Sequence, residues 1–119
     1  MYCKITNQAD LQTAVAELNK LLSQAKLSED KIFDCRLIVY ELVGNVFKHT
    51  NGDSALEVLL EGDFIQMKVY SSTPFPLPNV IACSDELCEH GRGLFLVQRL
   101  CEEMFAEQDG ICVKIKRTV

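Results

Sequence analysis

Glu41, Asn45 and His49 recur every four residues within "YELVGNVFKHT", so on a helix they line one stripe, with Lys48 beside it. A carboxylate can take a proton from a hydroxyl, and an amide oxygen can help to ligate a hard cation. Magnesium suits such oxygen donors, keeping several waters and adding phosphate oxygens from its substrate. Lys48 is placed to meet the accompanying negative charge. The alternative is an ordinary solvated helix face. Asn45 weighs against it, because it stands amid Val43, Val46 and Phe47, where a weak helix former gains nothing locally.

A second constellation is "EHGRGLFLVQRL", in which Gly91 and Gly93 flank Arg92 directly before an apolar run. A helix N-terminus offers unpaired N–H groups and the positive end of a dipole. Without side chains at Gly91 and Gly93 a phosphate chain can approach that backbone, and Arg92 adds charge. A plain glycine turn is the competing reading, and a lone Gly-x-Gly does not decide between them. Paired with the upstream Glu/Asn helix, the phosphate reading gains weight. Cys83, Cys88 and His90 form at most a partial metal set, at unfamiliar spacing.

The elements that must position these residues follow from pattern. "MYCKIT" alternates as a short strand. Asn7 or Asp10 caps a helix through about Ala25, with Leu11, Val15, Leu18 and Leu22 on one side. Ser28 caps a second helix to about Thr50, with Ile32, Cys35, Val39, Leu42, Val43 and Val46 at three-and-four spacing. "SALEVLLE" and "FIQMKVYS" read as a hairpin turned at Gly62-Asp63. Pro74, Pro76 and Pro78 forbid regular structure, and a loop runs to His90. A third helix is expected from about Arg92 to Glu107, with Leu94, Val97, Leu100, Cys101 and Met104 inward, followed by a strand, "GICVKIKRT". Clustered elements favour an α+β fold: a two-layer sandwich whose mixed, mostly antiparallel sheet is covered on one face by about three helices.

The 119 residues suffice for one core, so residues 1–119 are expected to form a single domain. A net charge of -5 argues against a nucleic-acid partner. Lys114, Lys116 and Arg117 are spaced as the wet face of the last strand. No run approaches a membrane span, and the start lacks a secretory signal, so a cytoplasmic location is expected. The six cysteines form no CxxC pair, and several sit in apolar patterns that suit reduced, buried thiols.

With both constellations in view, the sequence resembles the GHKL ATPases, the superfamily of gyrase, heat-shock chaperone and histidine-kinase nucleotide domains. It looks most like the small anti-sigma-factor serine kinases within it. "ELVGNVFKH" is similar to the family's N-box, and "GRGLFLVQRLCEEM" to its second glycine box and following helix. The resemblance implies ATP and Mg²⁺ as cofactors, Glu41 as general base, and Asn45 as magnesium ligand. Lys48 and His49 would stand near phosphate or in packing, and Gly91, Arg92 and Gly93 would form the phosphate-side turn. It further implies a sigma factor and an anti-sigma-factor antagonist as protein partners, phosphorylation of a serine on that antagonist, and a homodimer.

One region departs from the family pattern. Where the first glycine box has an aspartate and, two residues on, a glycine, this chain has Ser71 and Thr73. In the family the Asp recognises the adenine amino group. Serine still hydrogen-bonds but loses the charge-assisted acceptor, about 1.5–3 kcal/mol against roughly 1 for a neutral bond. ATP affinity then falls roughly tenfold. That departure favours the alternative of a non-catalytic binding module that sequesters a regulator; Glu41 and the intact Gly-Arg-Gly turn favour the kinase.

Overall fold

The computed structural model describes residues 1–49, 53–71, 96–107 and 109–117. In chain order these form β1 (Tyr2–Ile5), α1 (Gln8–Gln24), α2 (Glu29–His49), β2 (Ser54–Glu61) and β3 (Phe64–Ser71). A third helix, α3, is described at residues 96–100, and β4 (Glu103–Glu107) and β5 (Gly110–Lys116) complete the fold.

α1 begins where Asn7 turns its side-chain oxygen onto the Asp10 N–H at 2.8 Å, satisfying a donor that the helix cannot. It ends in a Schellman arrangement. Lys26 takes the left-handed conformation at φ 63°, its N–H donates to Ser23, and the Leu27 N–H donates to Leu22. Ser28 then caps α2 through the Lys31 N–H, and Glu29 and Asp30 complement the dipole in the first turn. At the β2–β3 hairpin Gly62 takes φ 54°, the positive value that a tight two-residue turn requires.

The five strands form one sheet in the order β1-β2-β3-β5-β4, and every described pairing is antiparallel. Leu11, Leu18 and Leu22 of α1, Ile38, Leu42 and Val43 of α2, and Val97 of α3 are buried. They pack on Leu56, Val58, Ile65, Met67, Val69 and Val113, which alternate onto one face of the sheet. The molecule is therefore an α+β two-layer sandwich, with helices on one side of the sheet and, among the described residues, no helix on the other.

The third helix ends sooner than its sequence suggests. Its last backbone bond runs from the Cys101 N–H to Val97, and the next amide, Glu102, donates instead to Lys114 of β5 at 2.8 Å. Glu103–Glu107, read as the end of a helix, is β4, paired with β5 from Glu103↔Lys114 to Glu107↔Gly110. Cys101 and Met104 stay half-buried against the core, now from coil and strand.

Candidate functional site

α2 places Glu41 and Asn45. Leu42, Val43 and Val46 hold the helix to the sheet, while Glu41 and Asn45, one turn apart, are half-buried at the edge of that contact. Gly44 lies between them, and a Cβ there would meet nothing within 4 Å. For Lys48 and His49 the helical backbone alone is described.

The C-terminal end of α2 leads through residues 50–53 directly into Ser54, the register partner of Ser71. The polar stripe therefore runs toward the end of the sheet where β3 stops, with Asn45 about 6 Å up the axis from His49. Ser71 continues the alternation of Ile65, Met67 and Val69, so it belongs to the helix-facing layer. Stripe and strand end thus share one side and one end of the molecule.

That end of β3 is pinned from the β4–β5 turn, a feature that sequence reading missed. The Ser71 N–H donates to the Asp109 carbonyl at 2.9 Å. Asp109 is in turn held by Lys68, whose ammonium lies 3.0 Å from its carboxylate and 2.6 Å from that of Glu107. The ammonium also sits 4.5 Å from the centre of the Tyr70 ring, and the Tyr70 hydroxyl donates to Glu57 at 3.2 Å. The bond to Glu107, with Asp109 adding to it, raises the Lys68 pKa, and Lys68 draws the Asp109 carboxyl below its ordinary value. Gly110 lies flat on β3, where a Cβ would collide with the Val69 carbonyl oxygen. The signal was present in "DG" at 109–110, a hairpin dipeptide beside a strand.

A cavity of about 330 Å³ opens at this end, lined by Tyr2, Lys4, Thr6, Asp53, Tyr70 and Ser71 among others. Glu41 and Asn45 do not line it. Thr73, Gly91, Arg92 and Gly93, expected to complete the site, lie outside the described residues, as do Cys83, Cys88 and His90.

The donor chemistry fits magnesium. The Asn45 amide oxygen, half-buried on a rigid helix, is a hard donor that leaves room for water and phosphate oxygens, and one turn away the Glu41 carboxylate, also half-buried, offers a proton acceptor. Among the described residues no group of three or more His, Cys, Asp and Glu gathers. The described thiols are poor candidates. Burial, with the Glu17 carboxylate adding to it, pushes Cys3 up to about 11, and burial pushes Cys35 up to about 12. Among the described residues no helix is long and apolar enough to cross a membrane.

The comparisons with known proteins bear on the family to which the chain belongs. No curated protein matches the sequence. The family described as "Histidine kinase-like ATPase domain" matches residues 6–117, from the end of β1 to just past β5. A match over nearly the whole chain implies ATP as the ligand, and the chain belongs to the histidine kinase-like ATPase domain family.

Proposed function

We propose that the chain binds ATP with Mg²⁺ and acts as a serine protein kinase of the anti-sigma-factor type. In this reading Asn45 holds the magnesium ion. The Glu41 carboxylate takes the proton of a serine hydroxyl as its oxygen bonds to the γ-phosphorus and the bond to the β–γ bridging oxygen breaks, releasing ADP. Magnesium, when bound, neutralises charge on the phosphates. Lys48, Arg92 and the Gly91–Gly93 backbone serve the phosphates, His49 stands near them or in packing, and Ser71 and Thr73 line the adenine end. The protein partners are a sigma factor and the antagonist that carries the serine. The observation behind this reading is the Glu41–Asn45 stripe, half-buried beside the core face of α2 on the helix whose C-terminal end leads to Ser54, the register partner of Ser71 where β3 stops.

Calorimetry with a non-hydrolysable ATP analogue and Mg²⁺ tests it. Saturable binding is expected, and Asn45→Ala should weaken it by tenfold or more. Glu41→Ala should leave affinity within about threefold while abolishing phosphate transfer, since a general base acts on the transition state. Absence of heat at millimolar nucleotide refutes the kinase reading. Equal loss of binding and transfer in Glu41→Ala would make that residue structural.

A second reading, a binding module with weak or lost nucleotide affinity, is favoured by one specific feature. Ser71, at the adenine end, lacks the carboxylate that charge-assisted recognition of the base would use. Analogue binding absent in the wild type but gained in Ser71→Asp would select this reading.

A further inference from the structure

From the bonds around one peptide unit we infer that Lys68 is a positioning residue that sets base selectivity at the nucleotide site, an assignment that rests on the ATP reading. The unit joins Tyr70 to Ser71, at the end of β3. Its carbonyl, on Tyr70, accepts from the buried Ser54 hydroxyl at 2.9 Å, and its N–H, on Ser71, donates to the Asp109 carbonyl at 2.9 Å. A peptide unit is planar, so holding both of its polar groups fixes the direction in which the Ser71 side chain leaves the strand.

Lys68 holds what stands on both sides of that unit. Its ammonium lies 4.5 Å from the centre of the Tyr70 ring, 3.0 Å from the Asp109 carboxylate and 2.6 Å from that of Glu107. Glu107 and Gly110 are register partners, so the two carboxylates flank the β4–β5 connection and share one cation. Without the ammonium, two like charges remain close together there, and they are relieved by moving apart. Asp109 moves with the carbonyl that the Ser71 N–H needs. Partly exposed ion pairs add little to global stability, so the effect is on place rather than on the fold.

Lys68 and Tyr70 alternate to the face of the sheet opposite Ser71, so Lys68 acts through the backbone and not by touching the nucleotide. Position matters at Ser71 because a hydroxyl both donates and accepts. Held in one place it can favour the amino group of adenine over the carbonyl that guanine carries at the same position. Free to shift, it satisfies either, and discrimination between the bases falls.

Amide hydrogen exchange of the whole chain without ligand, read residue by residue by NMR, tests the positioning, with circular dichroism confirming the fold of each variant. In Lys68→Met the Ser71 amide should exchange about tenfold faster, while Ile65 and Ile115, at the far end of the β3–β5 ladder, keep their wild-type rates. Asp109→Asn should act in the same direction, less strongly. Adding Glu107→Gln to Lys68→Met removes the repulsion and should restore part of the protection. Calorimetry with non-hydrolysable ATP and GTP analogues and Mg²⁺ tests the selectivity. The wild type should prefer the adenine analogue, and Lys68→Met should cut that preference about fivefold, the worth of one hydrogen bond. An unchanged preference, or equal loss of both analogues, overturns the inference, as does a wild type that takes both bases alike. Unchanged Ser71 exchange in Lys68→Met overturns it while leaving the ATP reading intact. A wild type that binds neither analogue refutes the ATP reading, and the base role with it.

Discussion

Replacing glycine by alanine should change stability in opposite directions at Gly44 and Gly110. Gly44 is inside α2, where glycine costs about 1 kcal/mol relative to alanine through backbone entropy. A methyl group there meets nothing within 4 Å, so no packing loss offsets the gain. Gly44→Ala should therefore add about 1 kcal/mol to unfolding free energy. For a chain of this length that raises Tm by about 4 °C. At Gly110 the added methyl runs into the Val69 carbonyl oxygen and lies 3.0 Å from the Tyr70 Cα, both backbone positions that no rotamer change relieves. The β3–β5 ladder must then open locally, at a cost of about 2–4 kcal/mol. That opening also displaces Asp109, and with it the carbonyl that holds the Ser71 N–H, so Gly110→Ala should weaken binding of the ATP analogue as well. Urea unfolding at pH 7 measures both energies. A destabilised Gly44→Ala would mean that the space beside Asn45 is filled, and a neutral Gly110→Ala would mean that β5 does not lie against β3 as described.

Two further outcomes follow from local geometry. Lys26→Gly should stabilise the chain by about 0.5–1 kcal/mol in the same assay, because the left-handed φ of 63° strains a residue with a Cβ and costs glycine nothing. Stability should also fall as pH drops from about 4. Asp10 is held below its ordinary pKa by the Thr6 N–H and hydroxyl, and Asp109 by Lys68, so the unfolded chain takes up their protons first. Urea unfolding between pH 3 and 6 should show a shallower acid loss in Asp10→Asn than in wild type, and an unchanged slope refutes the assignment.

The helices were legible because burial of one face imposes a period. Leu11, Val15, Leu18 and Leu22, and the α2 series from Ile32 to Val46, are buried as their spacing requires. The hairpin was legible at Gly62-Asp63, and the Glu41–Asn45 stripe because polar residues amid apolar ones need a reason. β4 was not legible. "LCEEMFAE" has helical spacing and helix-forming residues, and its strand conformation comes from pairing with β5 across the 109–110 turn. Local preference of under 1 kcal/mol per residue yields there to a ladder of backbone hydrogen bonds that only the partner strand supplies.

By itself, the order of residues determined the faces that turn inward, the caps of both long helices and the chemical types held ready on α2, since each depends on neighbours within a few positions. Tertiary structure alone decided that the end of β3 is pinned through Lys68 and Asp109, and that Tyr2 and Phe105 end one row of the sheet. Those relations join residues about 40 to 100 positions apart, and register across a sheet is set by how all its strands pack together rather than by any one of them.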